Sequence, residues 1–462
     1  MTNKELYEKL AYKTKNVYTQ LSSDEKKEMF DMCDDYRAFL DAGKTERECV
    51  IQAIKMAEEN GFVPFEDKAE LKPGDKVYFV NRKKNIMLAV IGSKEITEGV
   101  NVVGAHIDSP RLDLKQNPLY EDSELALFKT HYYGGIKKYQ WTAIPLALHG
   151  AVTKKNGETI NVVIGEDASD PIFYISDLLP HLAGEQMKKS LGEGISGEQL
   201  NLIAGTRPYG DIAEKDAVKL NVMKLLNEKY GIIEEDFLSA ELCAVPAFTS
   251  RDVGLDRSLI ASYGHDDRVC AYPSLTALIE MNAPKHTVMA VLADKEEIGS
   301  EGNTGMQSQV YFDIIADLAK TMGISDAVVR ANSKCLSSDV NAAFDPNFPE
   351  PMERNNCCYI NNGVVITKYT GARGKSGTND ASAEFCGHVR KVLDEAGVIW
   401  QTGELGKVDA GGGGTVAKYI ASKNVDVIDL GVPVLSMHSP YEVVSKTDVY
   451  MTHKAIKAFF EA

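Results

Sequence analysis

Long apolar runs are missing from this sequence. None approaches the roughly 20 residues needed to span a bilayer, so no membrane association is expected. Basic charge is in short supply: Lys and Arg number 51 against 67 Asp and Glu, a net charge of −16. That balance argues against nucleic acid as a partner, because phosphate binding needs a basic face that releases counterions. The eight cysteines (Cys33, Cys49, Cys243, Cys270, Cys335, Cys357, Cys358 and Cys386) never form a C-x-x-C pair. They are too sparse for a disulfide scaffold and poorly spaced for a thiolate zinc site, so reduced and mostly buried thiols are expected. The opening residues Met1-Thr2-Asn3-Lys4-Glu5-Leu6 lack the apolar segment of a secretory signal, and a cytoplasmic location is the expectation. No G-x-S-x-G elbow, internal repeat, low-complexity tract or heptad array is present. What remains is ordinary globular usage, 44% hydrophobic and 26% charged, over 462 residues. At roughly 150 residues per domain that length fits about three units, or two if one is large.

The first sixty residues read as helices. Ser22-Ser23-Asp24-Glu25 caps a segment with Met29, Phe30 and Met32 at helical spacing, and Thr45-Glu46-Arg47-Glu48 opens Cys49 to Glu59, which stops at Asn60-Gly61. Lys76 to Val80 and Ile86 to Ile91 predict a hairpin, and Asn101 to Ala105 a buried strand. Between about Leu112 and Cys243 the texture changes to short β-like runs such as Ile144 to Leu148 and Ile160 to Ile164. A charged stretch, Glu185 to Glu198, and a Gly205-Thr206-Arg207-Pro208 loop follow. Strand-then-helix alternation then returns, with strands at Thr287 to Leu292 and Val425 to Leu430 and helices at Tyr311 to Met322 and Ala381 to Ala396. The expected fold class is α/β, a mixed sheet flanked by helices. It comprises residues 1–112 and 243–462, interrupted by a smaller β-rich domain at 113–242.

Five stretches carry chemistry. His106, in Gly104-Ala105-His106-Ile107-Asp108-Ser109-Pro110, ends an apolar run, with Asp108 two residues on to accept the second imidazole N–H. Asp266 and Asp267 open a helical pattern that runs from Val269 to Met281, placed either as simple caps or with one acid bridging two cations. Val288 to Ala293 runs straight into Asp294-Lys295-Glu296-Glu297-Ile298-Gly299, an acidic pair that repels itself unless cations sit nearby. Asp339 follows Leu336-Ser337-Ser338, and His438 ends the apolar run from Val434. Two hydrolytic metals need imidazoles, carboxylates and one further carboxylate to take a proton, and open α/β sheets place sites at strand ends.

In order, G-A-H-I-D-S-P, H-D-D-R, D-K-E-E-I-G-S, S-S-D and M-H-S resemble the motifs of the aspartyl aminopeptidases, a family of dinuclear zinc exopeptidases. The likeness extends over nearly the whole chain and includes His131-Tyr132-Tyr133-Gly134-Gly135. The resemblance implies two divalent ions per subunit, zinc first with cobalt or manganese as substitutes. His106 and Asp339 would hold one ion, Glu297 and His438 the other, and Asp266 would bridge them. Glu296 would be the general base, Asp108 the residue orienting His106, and Gly413 and Gly414 of the run Gly411 to Thr415 would approach the substrate. Peptides would be the substrates, and the assembly a homo-oligomer, a tetrahedral dodecamer enclosing its active sites.

Two stretches depart from the relatives that prefer acidic N-terminal residues. Where those carry P-H-L-A-I-H, here stands Pro180-His181-Leu182-Ala183-Gly184-Glu185, and an N-x-K-Q-R-Y-like segment is replaced by Tyr369-Thr370-Gly371-Ala372-Arg373-Gly374-Lys375. Glu185 repels an acidic side chain unless Arg373 or Lys375 compensates, so general aminopeptidase activity is expected rather than strict Asp/Glu preference. The alternatives are another co-catalytic metal hydrolase, such as a dipeptidase or amide deacylase, and a non-catalytic metal-stabilised cargo or scaffold shell.

Overall fold

The computed structural model describes residues 1–68, 70–211, 215–321 and 323–462, and all counts below refer to these. Three sheets organise the chain. The largest has nine strands in the spatial order Val63–Pro64, Lys76–Asn81, Asn85–Val90, Thr287–Ala293, Val100–His106, Lys334–Ser337, Asp426–Gly431, Val364–Thr367 and Trp400–Thr402. Thr287–Ala293, Val100–His106, Lys334–Ser337 and Asp426–Gly431 run parallel in its middle. Every residue of Thr287–Ala293 and Val100–His106 is buried, as the unbroken apolar runs require of strands covered on both faces.

Side chains alternate between two cores. Val103, Ala105, Ala290 and Leu292 point to helices Ser23–Ala42, Glu46–Glu59, His265–Ile279 and Lys446–Glu461. Val102, Met289 and Val291 point to Val310–Thr321, Asp326–Asn332 and Ala417–Ala421. Ser22 with Glu25, and Thr45 with Glu48, form reciprocal capping boxes that fix where two of these helices begin. The hairpin expected at 76–91 forms by antiparallel pairing of Lys76–Asn81 with Asn85–Val90, and the helix expected over 381–396 spans Ala383–Glu395. The helix expected from Tyr311 starts one residue earlier, and its expected end, Met322, lies outside the described residues.

The second sheet has seven strands and draws on residues 111–246. It curls until Ala240–Pro246 pairs with both Arg111–Asp122 and Pro145–Thr153, which leaves few edges open. It encloses its own core around Phe128, Trp141, Leu148 and Phe237. Helix Ala217–Tyr230 packs Val218, Val222 and Leu226 onto that core, an element the β-rich reading of this segment did not include. The charged stretch 185–198 forms turns, with one short 3-10 turn at Gly197–Gln199. A third, five-stranded sheet (Arg251–Val253, Leu259–Ser262, Glu442–Ser445, Pro433–Leu435, Asn341–Ala342) stands beside the first. Among the described residues no helix is long and apolar enough to cross a membrane, and all eight cysteines are free thiols.

A polar clamp joins the second sheet to the helices. The His149 ring nitrogens lie 2.7 Å from Glu48 Oε1 and 2.9 Å from Glu166 Oε1, while Lys44 Nζ bonds Glu166 and the carbonyls of Pro246 and Phe248. Burial opposes charge on His149, but the two carboxylate hydrogen bonds outweigh it and raise its pKa. Its stabilisation is therefore complete below the ordinary value of about 6.5 and is lost as pH rises through the elevated one. His149→Gln is expected to destabilise the fold by about 2–3 kcal/mol near pH 6. The deficit should shrink in alkaline buffer, which denaturant melts of both proteins across pH 6 to 9 would measure.

Candidate metal centre

Three adjacent parallel strands end on the same edge of the central sheet. His106 is the last residue of Val100–His106, Asp339 follows Lys334–Ser337, and Glu296 and Glu297 sit on a 3-10 turn just beyond Thr287–Ala293. The five-stranded sheet supplies the rest: Asp266 shortly after Leu259–Ser262, and His438 in the turn between Pro433–Leu435 and Glu442–Ser445. Lys295 and His438 both hold left-handed backbone, at φ 66° and 64°, a conformation of the kind that clusters at functional sites.

These residues meet. His106 Nε2 stands 3.2 Å from Asp266 Oδ1, and His438 Nε2 stands 3.2 Å from Asp266 Oδ2, so one carboxylate faces both imidazoles. Glu297 Oε2 lies 3.5 Å from His438 Nε2; Asp339 Oδ1 and Glu296 Oε2 lie 3.9 and 4.0 Å from His106 Nε2. Groupings of His106 with Glu296 and Asp339, of His106 with Asp266 and Glu297, and of Asp266 with Asp267 and Asp339 are compact enough to hold a cation. The Glu297 Oε1 and Asp267 Oδ1 atoms are buried without a hydrogen-bond partner. Orphaned buried carboxylate oxygens beside imidazole nitrogens are the donor set a divalent cation satisfies.

The electrostatics say the same. Burial pushes Glu297 and Asp339 well above the carboxylate range, with neighbouring acids adding to it. Glu296 is pushed up to about 7, chiefly by burial, with Asp108 and Asp266 contributing. Asp266 is the exception: hydrogen bonds from His106 and His438 outweigh its burial and hold it below the usual range.

A surrounding layer fixes the cluster. The His106 Nδ1–H donates to the Asp108 main-chain oxygen at 3.0 Å, with the Asp108 carboxylate at 3.3 Å. That carboxylate accepts the Glu296 N–H (3.1 Å), the Glu297 N–H (3.2 Å) and the Tyr133 hydroxyl (2.8 Å). The His106 N–H donates to Asp267 at 3.3 Å, and the His438 Nδ1–H donates to the Gly135 carbonyl at 2.7 Å. A cavity of about 530 Å³ opens over the cluster, walled by Gly412, Gly413, Gly414, Leu405, Lys418 and Tyr419. Gly413 and Gly414 are thus in the cavity wall. Arg373, Lys375 and Glu185 do not line it: Lys375 bonds Asp380 and covers the Tyr369 ring, and Glu185 lies exposed against Lys188.

A profile of the family described as aminopeptidase I zinc metalloprotease (M18) matches residues 39–460. The chain belongs to this family. A probable M18 family aminopeptidase 1 from Clostridium acetobutylicum is 51% identical over 453 residues, covering 96% of this chain and 97% of that one. The crystal structure of an M18 aminopeptidase from Thermotoga maritima superimposes with a TM-score of 0.94 at 48% identity, over 98% of this chain and 100% of that one. At 20% identity and a TM-score of 0.76, over 93% of this chain and 96% of that one, the fold is shared with a structure described as the S. cerevisiae mApe1 dodecamer. An M18 zinc metallo-aminopeptidase is the reading that motif order had pointed to, and the hydrolase class follows with it.

Two supporting residues of this M18 chain are silent in the sequence. Glu442 is buried and its carboxylate accepts the Asp266 N–H at 3.0 Å and the His438 N–H at 2.7 Å, tying together two segments 172 residues apart, 438 less 266. The only local sign is its place four residues after His438. Tyr133 lies within a matched segment, yet its contact with Asp108 depends on the second sheet. Glu442→Gln puts an amide N–H₂ against one of the two main-chain donors. Zinc retention against a competing chelator is expected to weaken about 10- to 100-fold, with the thermal melt of the bulk fold nearly unmoved; unaltered retention would show that Glu442 only fills space.

Proposed function

We propose that this M18 aminopeptidase removes N-terminal residues from peptides at a site holding two divalent ions per subunit, with zinc the expected metal and cobalt or manganese suited to the same donors. In this reading His106 and Asp339 hold one ion, Glu297 and His438 the other, and Asp266 bridges. The observation that carries it is the Asp266 carboxylate, with one oxygen 3.2 Å from each imidazole. Bound there, the ions polarise the scissile carbonyl and acidify the attacking water.

The chain's own groups do the rest. Glu296 and Glu297 are neighbours, and exposure separates their roles: the Glu297 side chain is 3% exposed, as suits a ligand, whereas Glu296 is 18% exposed at the cavity wall. Glu296 takes the proton from water and returns it to the departing amine, a role open to a carboxylate at the cavity wall 4.0 Å from His106 Nε2. Asp108 is a positioning residue, clamping the main chain of both glutamates while its own carbonyl fixes the His106 tautomer. Gly135 does the same for His438. Gly413 and Gly414 line the cavity, where the lack of a side chain lets the substrate approach the main chain.

The chain divides, in this proposal, into a catalytic body (1–112 and 243–462) and an inserted domain (113–242) that serves oligomerisation. Leu178, Leu179, Leu182, Met187 and Leu191 are exposed on that insertion, an apolar surface suited to another copy. The yeast relative's assembly supports a dodecamer, and free thiols suit a cytoplasmic location. Glu185 reaches a substrate, on this view, only from a neighbouring subunit.

Glu296→Gln is expected to cut hydrolysis by at least about 100-fold while metal content per chain stays constant. Unchanged turnover would remove the proton-transfer role. Because Lys375 is engaged by Asp380, Asp-, Leu- and Lys-p-nitroanilides should turn over within about tenfold of one another, short of a strict Asp preference. An advantage for Asp on the order of 100-fold would overturn the broad preference.

A further inference from the structure

Within the cavity, apart from the His438 imidazole of the cluster itself, the titratable groups beside the metal cluster are almost all acids: Asp266, Glu296, Glu297 and Asp339. Lys418 is the exception. It lines the same cavity and makes no ion pair with any described residue, its ammonium resting 4.7 Å from the centre of the Tyr419 ring. That platform is fixed, because the Tyr419 hydroxyl donates to the Gly299 carbonyl at 3.1 Å. A Cβ on Gly414 would stand 3.5 Å from Lys418 Nζ, so the ammonium lies directly alongside the glycine wall.

The wall itself is anchored on either side of Gly414. The Gly413 N–H donates to the Thr370 carbonyl at 3.1 Å, and the Thr415 hydroxyl to Asp429 at 2.7 Å. Gly414, exposed between them, donates its N–H to no described residue. A cation without an ion pair and a main-chain N–H without a described hydrogen bond thus line the same cavity as the metal cluster, with the Gly377 carbonyl oxygen 3.5 Å from the same Cβ position. Charge-assisted donors paired in this way are the complement of a carboxylate.

We propose that Lys418 Nζ and the Gly414 N–H form a carboxylate-binding subsite that holds an anionic group of the peptide during cleavage. The proposal rests on the peptidase reading of the site and adds a determinant of substrate choice. Two sources present the required chemistry: an acidic side chain on the first residue, and the C-terminal carboxylate of a short peptide.

The test uses the metal-loaded full chain and two matched pairs, Asp-Ala-amide with Asn-Ala-amide, and Ala-Ala with Ala-Ala-amide. Lys418→Met is expected to lower the kcat/KM ratio of the charged to the neutral member roughly tenfold in one pair, with the change in KM, and Lys418→Arg to restore most of it. The pair that responds identifies the source. If the wild type cleaves all four substrates while Lys418→Met leaves both ratios unmoved, the subsite is overturned and the peptidase reading stands. If the wild type cleaves none, the peptidase reading falls and the subsite with it. A uniform loss across all four, with intact ratios, assigns Lys418 a structural role and also overturns the subsite.

Discussion

Carboxylates gathered at close range repel one another, and the rest of this structure is arranged around making that tolerable. Asp266, Asp267, Glu296, Glu297 and Asp339 share a buried space with two imidazoles. Left to themselves, most of these acids are driven toward the protonated form by burial. The protein answers with main-chain donors and imidazoles for some oxygens and leaves others bare. The bare ones are the oxygens a cation would satisfy, so the mutual repulsion of these acids and their affinity for metal are two views of one arrangement.

Holding such a cluster requires rigid elements from distant parts of the chain. The central sheet contributes three strand ends at one edge, spaced by parallel pairing, and the five-stranded sheet brings Asp266 and His438 against them. Glu442 and Asp108 then act as staples made of single carboxylates. Glu442 accepts the main-chain N–H groups of Asp266 and His438 and Asp108 those of Glu296 and Glu297, so orientation is imposed through the backbone rather than through flexible side chains.

Much of this was legible in the sequence. Continuous apolar runs marked the central strands because strands buried on both faces have no polar side to show. Thr45 and Glu48 marked a helix start because a capping box is a local pattern. His106 and His438 stood out because each ends an apolar run, whereas Asp266, Glu297 and Asp339 were grouped with them only by the order of the matched motifs. The features that escaped depend on contacts between remote segments. Helix Ala217–Tyr230 lay inside a stretch whose turns dominated its texture. Lys375 looked free for substrate until the fold brought Asp380 to it, and Lys418, which belongs to none of the matched motifs, lines the cavity only through the fold. Charge in a sequence carries no address.

The Gly135 carbonyl that orients His438 belongs to the turn after Leu125–Tyr133, a strand of the second sheet, and the Tyr133 hydroxyl on Asp108 comes from the same strand. The interrupting segment is therefore not a detachable appendage. An evolutionary or engineered trimming of this chain to its helix-flanked sheet would keep His106, Asp266, Glu297, Asp339 and His438 and still leave one imidazole free to rotate away, so minimal versions of the enzyme must carry this hairpin or reinvent its carbonyl.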